Sequence, residues 1–319
     1  MTNTLRKNAH PCMGRARPRR IAALAILLAT AAACRVEPRS AGGDQELHPA
    51  NAAAGRAGDA DLLREGAWVY REYCIGCHGE KGDGKGPAAR FLNPKPRDFT
   101  TAIFKFAGVV SGGLPRDEDL MRTLVHGLPG SSMPSWRLLP EESRRAVIAY
   151  LKTFSPAWGE RGPAPPLEVS QDPFSPGDAA SVAQAAARGR VVYHVHATCW
   201  RCHAAFATQA EVDAMAAADG ELAPPLRPDA AAPREVDDSW GGKILATDFP
   251  RARLKSGSSL GDLYRTIAAG VGGTAMPTWK GGLQERDLWA LTYYVKTLAD
   301  ERWQASHPIP SQPPATAAR

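Results

Sequence analysis

The amino-acid sequence predicts an all-α protein made of two similar units in tandem. The first observation is helical periodicity, since apolar residues recur at three- and four-residue intervals over residues 62–73 and 147–154. The second is an internal repeat: residues 119–136, DLMRTLVHGLPGSSMPSW, match residues 262–279, DLYRTIAAGVGGTAMPTW, at nine of 18 positions. Identity at this density in a fixed frame indicates a duplication, so we expect the same fold twice.

A Pro-rich segment separates the two units. It contains the runs PAPP and DPFSP, which favour an extended, semi-rigid linker. The residues before the first helix are small, polar and aperiodic, as in a flexible tether. The predicted segments are a signal peptide (1–33), a flexible tether (34–58), a first domain (59–155), the linker (156–177), a second domain (178–301) and a disordered tail (302–319).

Residues 1–33 have the features of a secretory signal peptide. Six Arg and Lys residues, with no acidic residue among them, precede the apolar run IAALAILLATAAA, which is too short to span a bilayer comfortably. The whole chain has 39 Lys and Arg residues and 33 Asp and Glu residues. Without the six basic residues of this segment, 33 positive and 33 negative residues remain. We therefore expect a mature chain in the bacterial periplasm, and no nucleic-acid partner.

Cys34 follows three alanines and resembles the cysteine of a bacterial lipobox, which becomes the lipidated first residue. Ala31 stands where that motif usually has leucine, so cleavage by ordinary signal peptidase is the alternative. We favour lipidation of Cys34, because a free thiol at the N-terminus of a secreted protein is a liability. A lipid anchor at this residue is the membrane contact that the sequence predicts.

The motif CxxCH occurs twice, as CIGCH at residues 74–78 and CWRCH at residues 199–203. On a helix, Cys at i and i+3 and His at i+4 share one face. That arrangement suits two thioether bonds to the vinyl groups of a c-type haem and a proximal imidazole on its iron. The predicted attachment residues are Cys74, Cys77, Cys199 and Cys202, and the predicted proximal ligands are His78 and His203.

Other interpretations of CxxCH account for less. A structural zinc site needs a fourth ligand and normally a second pair nearby. A thioredoxin-like pair expects a preceding strand, whereas a helical pattern precedes each motif. A disulfide leaves the following histidine unexplained. Two covalent haems use four of the six cysteines, and the others are Cys12 in the signal and Cys34 at its end.

The second axial ligand of each iron is predicted to be methionine. Met133 in GSSMPSW and Met276 in GTAMPTW occupy matched positions of the repeat, after turns that contain glycine. Core packing is the usual role of methionine. Two methionines at the same place in a duplicated frame, on loops, favour iron ligation instead.

These features together resemble the class I cytochrome c family: a helix into CxxCH, then GEKGDGKGPAA, then MPxW before a last helix ending in AYLKTF. The resemblance covers most of residues 59–301 and implies two fused monohaem domains, each with crossing terminal helices around an edge-on haem. In this family a Pro carbonyl commonly accepts the proximal imidazole N–H. Pro87 matches in the first copy, with a plain turn residue as the alternative, and Pro224 and Pro225 stay equal candidates in the second.

Other polar residues near the motifs have two interpretations each. Arg97 in NPKPRDFT and Arg251 in LATDFPRAR suit haem propionates, although we favour solvated loop charges. His126, His194 and His196 are alternative iron ligands, but we favour surface histidines for all three.

Filled axial positions predict the function. Iron held by His and Met has no open position for oxygen, peroxide or substrate, so one-electron transfer remains. We expect a dihaem carrier without enzymatic activity, a shuttle or tethered respiratory-chain subunit whose partners are redox proteins. The alternative is a haem enzyme of the dihaem peroxidase or thiosulfate-oxidising type, which needs one open iron. A purely structural haem protein is the third hypothesis, and it predicts no reversible reduction.

Overall fold

A computed structural model describes residues 57–300, and regular structure within them is almost all helical. The helices are α1 (Ala57–Tyr73), α2 (Ile75–His78), α3 (Asp117–His126), α4 (Glu141–Lys152), α5 (Ala157–Arg161), α6 (Ala179–Val191), α7 (Gln209–Asp219), α8 (Leu260–Ala269) and α9 (Glu285–Ala299). An antiparallel hairpin pairs β1 (Glu235–Asp237) with β2 (Lys243–Leu245). The predicted all-α fold is confirmed, apart from this hairpin.

The predicted signal peptide, Cys34 and the C-terminal tail lie outside the described residues, as does nearly all of the tether. No helix of residues 57–300 is both long enough and apolar enough to cross a membrane. The domain boundaries stay predictions. We call residues 57–155 the first half and residues 178–300 the second half.

Each half is built on a pair of crossing helices. α1 crosses α4 at Gly66, and α6 crosses α9 at Gly189. At these points a Cβ on the glycine would collide with the carbonyl of Ala146 or Ala290, so only glycine lets the backbones approach this closely. The matched contacts show that both halves use one packing scheme.

Each half also has its own apolar core. The first core is formed mainly by α1 and α4, and the larger second core by α6, α8 and α9. Fully buried side chains of the two cores include Val69, Tyr70, Val147 and Ile148 in the first and Tyr193, Tyr264, Leu288 and Leu291 in the second. Truncating one of the buried leucines to alanine is expected to cost about 2–5 kcal/mol.

The second half has two extra residues between its crossing glycine and its CxxCH motif. Eight positions separate Gly66 from Cys74, whereas ten separate Gly189 from Cys199. A π-helical turn over Val192–His196 absorbs one of the two residues, because its i to i+5 bond encloses one residue more than an α-helical turn. The chain then reaches the motif through a residue in the left-handed region, at position 198.

The two halves contact each other through reciprocal loops. The Ser111 N–H donates to the Ala269 carbonyl at 3.0 Å, and the Gly272 N–H donates to the Lys105 carbonyl at 3.0 Å. Next to these bonds, residues 106–107, 127–129, 255–257 and 270 line a cavity of about 250 Å³. Main-chain hydrogen bonds therefore hold the two halves together beside this cavity.

Candidate functional site

Both CxxCH motifs lie on a single helical turn. α1 runs into the first motif, where the His78 N–H donates to the Cys74 carbonyl at 2.9 Å. In the second motif the His203 N–H donates to the Cys199 carbonyl, also at 2.9 Å. This i to i+4 bond places each histidine one turn after the first cysteine, so that both lie on one face. The four cysteines of the motifs are free thiols.

The hydrogen bonds of the two histidines fix their tautomer. His78 Nδ1 lies 3.0 Å from the Arg97 carbonyl, and His203 Nδ1 lies 3.0 Å from the Thr247 carbonyl. Because a carbonyl can only accept, Nδ1 carries the proton in each ring and Nε2 presents a lone pair. Burial lowers the pKa of both imidazoles, which favours the neutral form that binds iron.

An aromatic ring completes each proximal environment. Phe99 stacks on His78 with 4.5 Å between ring centroids, and Phe249 stacks on His203 at 4.8 Å. Both rings belong to the Asp-Phe pair that follows the carbonyl acceptor in each half. The duplication therefore extends to the residues that orient the proximal histidines.

The expected Pro87 acceptor is wrong. Near Pro87 the main chain bonds to the motif itself, since the Gly86 N–H donates to the Cys77 carbonyl at 3.1 Å and the Ala88 N–H donates to the Gly76 carbonyl at 3.0 Å. The segment around Pro87 thus packs against the motif helix, and the His78 imidazole donates to a carbonyl further along the chain.

In the second half neither Pro224 nor Pro225 is the acceptor. The Thr247 carbonyl takes that place, directly after β2. An acceptor that is a main-chain carbonyl leaves no mark in the residue type, so the sequence gives no signal for Arg97 or Thr247 in this role.

Met133 and Met276 lie on loops of the same construction. The Met133 carbonyl accepts from the Leu128 N–H at 3.0 Å, and the Met276 carbonyl accepts from the Val271 N–H at 3.2 Å. Each methionine N–H donates to a hydroxyl two residues earlier, at 3.2 Å in both loops. Both side chains are half-buried and pack against the core of their own half. Their role as iron ligands stays a prediction.

The donor sets fit a covalent haem in each half. Burial raises the pKa of Cys74 and of Cys199 to about 12, so these thiols are protonated rather than poised as the thiolates of a zinc or redox site. Among residues 57–300, no group of three or more His, Cys, Asp or Glu side chains is arranged to hold a metal ion. Two thiols, one neutral imidazole and one thioether in each half match what a c-type haem requires.

Of the three alternative histidines, His126 is exposed, as expected of a surface residue, and the other two have hydrogen-bond partners within the protein. His194 is fully buried, which corrects its interpretation as a surface residue. Its Nδ1 donates to the Arg190 carbonyl at 2.8 Å, and its Nε2 accepts from the Phe206 N–H at 3.2 Å, so neither nitrogen is left for iron. His196 Nε2 lies 2.6 Å from an Asp219 carboxylate oxygen.

Arg97 and Arg251 differ in their surroundings. The Arg251 side chain is 81% exposed and pairs with Asp248 at 2.9 Å, as expected of a solvated loop charge. The Arg97 side chain is half-buried and lies over the ring of Trp240, with 3.8 Å from its guanidinium carbon to the ring centroid. Burial lowers the pKa of Arg97 to about 10, so that the solvated-charge interpretation is wrong for this residue. Trp240 lies outside the CxxCH motifs and the repeated segments, so no sequence signal indicated this contact.

Comparison with known proteins identifies a matching protein family and a similar solved structure. Residues 61–151 and 184–295 match the family described as cytochrome C oxidase, cbb3-type, subunit III. The solved Kuenenia stuttgartiensis reducing HAO-like protein complex Kustc0457/Kustc0458 contains a chain with 34% sequence identity and a TM-score of 0.60, and the match covers 74% of this chain and 96% of that chain. No curated protein sequence matches. Each of the two matched segments contains one CxxCH motif and one of the methionine loops.

Proposed function

Since this chain is a c-type cytochrome of the family described as cytochrome C oxidase, cbb3-type, subunit III, we propose that it carries two covalent haems and passes single electrons between redox proteins. The first haem is bound through Cys74 and Cys77, with His78 and Met133 as axial ligands. The second is bound through Cys199 and Cys202, with His203 and Met276 as axial ligands. When bound, haem supplies reversible one-electron chemistry.

The protein's contribution is to hold each iron in one coordination state. The main-chain acceptors at residues 97 and 247 keep Nδ1 protonated, so Nε2 is always the free nitrogen. The stacked rings of Phe99 and Phe249 limit rotation of the imidazoles. Ligands that do not rearrange let the iron change charge without a change in bonding, which suits a carrier.

The matched methionine loops favour the carrier over a haem enzyme. An enzyme of the peroxidase type needs one iron with an open or weak position, and we expect its two halves to differ at the sixth ligand. Here the two loops have the same main-chain hydrogen bonds and the same hydroxyl contact to the methionine N–H. This similarity is the observation on which the proposed function rests.

We place this activity outside the cytoplasmic membrane, as a freely secreted shuttle or as a lipid-anchored subunit. The N-terminal signal sequence supports export, and the tether allows a lipidated Cys34 to hold the two haem units near the membrane surface. The similar solved chain belongs to a HAO-like protein complex. By analogy, a larger redox complex is a suitable partner for this chain.

The test uses the mature holoprotein. Haem content measured as the pyridine haemochrome is expected to give two haems per chain, and both are expected to reduce and reoxidise in a redox titration. Carbon monoxide added to the reduced protein should bind neither haem rapidly. Stoichiometric, rapid binding to one haem would favour the enzyme, and a protein without covalent haem would refute the proposed function.

A further inference from the structure

The hairpin of the second half reaches the first half at its proximal histidine. Trp240 lies in the turn between β1 and β2, where an Asp238 carboxylate oxygen accepts from the Trp240 N–H at 3.0 Å and from the Gly242 N–H at 2.9 Å. The turn is fixed to the Met276 loop, because the Ser239 N–H donates to the Gly273 carbonyl at 3.0 Å. Contacts within the second half therefore fix the turn that carries Trp240.

At the contact, Trp240 lies against two cations of the first half. The Arg97 guanidinium carbon is 3.8 Å from the centroid of the indole ring, and Lys105 Nζ is 5.3 Å from it. Gly273 makes room for the ring, since a Cβ at this position would collide with it. Arg97 is also the residue whose carbonyl holds His78, so the cluster adjoins the proximal ligand of the first haem.

The side chains of Arg97, Lys105 and Trp240 carry hydrogen-bond donors that have no acceptor partner among the described residues. Trp240 Nε1 is buried without a hydrogen-bond partner in the described part of the chain. Neither the Arg97 guanidinium nor Lys105 Nζ has a hydrogen bond or an ion pair within residues 57–300. Asp98 and Asp238 are the acidic groups that influence Arg97, but neither forms an ion pair with it. A buried donor normally has a partner, so the buried indole N–H of Trp240, beside two unpaired cations, indicates a place for an anionic acceptor.

We propose that Arg97, Lys105 and the indole Nε1–H of Trp240 form one carboxylate site, shared by both halves, that binds a propionate of the first haem. A carboxylate has two oxygens and accepts hydrogen bonds from a guanidinium and an indole at once. A c-type haem carries such groups, and this cluster is next to the ligand of the haem in question. The proposal depends on the proposed function, because it requires a haem in the first half.

At the position corresponding to Arg97, the second half lacks a cation, so the proposal concerns the first haem. Thr247 takes the place of Arg97 as the carbonyl acceptor and has no cationic side chain. Arg251 is in solvent and paired with Asp248. Through Trp240, the second half therefore contributes a donor to the site of the first haem.

The test is Trp240→Phe in the holoprotein, which keeps an aromatic ring against Arg97 and removes the N–H donor. Without the donor, the negative charge of the propionate is less compensated and stabilises the ferric haem. The potential of the first haem should fall, shifting the distribution of one electron between the haems toward the second by about two- to tenfold, as for one lost hydrogen bond. Arg97→Gln should shift it further.

Two readouts separate this effect from a structural one. The propionate bending band of the first haem in the resonance Raman spectrum should move in Trp240→Phe, and the potential of the second haem should not. The matched control is Trp68→Phe on the exposed face of α1, which should leave both potentials unchanged. The haems are assigned in these titrations with the Met133→Ala variant.

The outcomes are distinct. Two bound haems with an unchanged first-haem potential and an unchanged propionate band in Trp240→Phe would overturn the proposal. A shift that varies with added inorganic phosphate would assign the cluster to a free anion and also overturn it. A chain with no haem in its first half would instead contradict the proposed function.

Discussion

Gly66 of the first half and Gly189 of the second half lie at the same point of the same helix crossing. Each contacts the main chain of an alanine in the partner helix, Ala146 or Ala290, four residues before a tyrosine of that helix. The crossing brings together the first and last helices of each half, so that it fixes the direction in which the CxxCH motif leaves its helix.

We predict that Gly66→Ala destabilises the first half and Gly189→Ala the second. The added methyl group has no space at the crossing, and the helices must separate, at a cost of about 1–3 kcal/mol. The measurement is the free energy of unfolding in denaturant, followed by the Soret band. Gly261→Ala, in α8, is the control, because nothing lies within 4 Å of a Cβ there. Equal stability of all three variants would show that the crossing is looser than described.

We predict that Met133→Ala removes the far-red absorption band of sulfur bound to ferric iron from one haem, and that Met276→Ala removes it from the other. Each loss should lower the potential of the haem concerned, because methionine ligation raises it. The control is Met121→Leu, a half-buried methionine that packs on the same first core as Met133. A spectrum of Met133→Ala that matches the parent would assign the sixth ligand to another residue.

We predict that His194 makes the stability of the protein dependent on pH. Burial, opposed by its bond to the Arg190 carbonyl, lowers the pKa of His194 from 6.5 to about 4. As the pH falls, His194 therefore binds a proton in the unfolded chain before it does so in the folded chain. The free energy of unfolding that this residue contributes above pH 6.5 is lost as the pH falls toward 4. This residue alone should cost about 2 kcal/mol between pH 7 and pH 5.

The measurement for His194 is the free energy of unfolding of the holoprotein at these two pH values. His194→Gln should reduce the difference, because glutamine does not bind a proton in this pH range. Its stability at pH 7 should be lower, because one flexible amide replaces the rigid ring that bonds both the Arg190 carbonyl and the Phe206 N–H. His126→Gln, at an exposed position, should keep the full difference. The same pH dependence in all three proteins would assign the effect to other groups.

We predict that Cys34→Ser releases the protein from the membrane fraction. If Cys34 is lipidated, the acyl chains are the membrane anchor, and serine at this position prevents their attachment. The measurement is the distribution of covalent haem between membrane and periplasmic fractions. Haem content should be unchanged in the variant, since both motifs lie beyond the tether. Equal distributions before and after the substitution would support cleavage by ordinary signal peptidase.

The helices and the common face of the CxxCH residues could be predicted because their sequence signals are local. Periodic apolar residues indicate α1 and α4, and the spacing of Cys74, Cys77 and His78 sets their common face wherever the helix lies. The repeat likewise placed Met133 and Met276 in equivalent loops. In each case the physical cause lies within a few residues of the effect.

The residues around the histidines could not be predicted because their contacts are not local. The acceptor of His78 is a main-chain carbonyl 19 residues away, which any residue type can provide. The prediction of a surface position for His194 is wrong because this residue lies in a π-helical turn, which leaves no pattern in the sequence, and is buried in the core. Trp240 lies in an irregular insertion of the second half, and its contact with Arg97 depends on how the two halves meet.

The bonds from Ser111 to Ala269 and from Gly272 to Lys105 join the halves through main-chain groups. Every residue carries a peptide C=O group, and every residue except proline carries an N–H. After the duplication, many substitutions at positions 105, 111 and 269 could therefore leave these bonds in place, whereas position 272 requires glycine, because a Cβ there would collide with the Phe104 carbonyl. A joint of this kind lets two copies of one ancestral domain diverge in the residues around their haem sites while the two halves stay in contact.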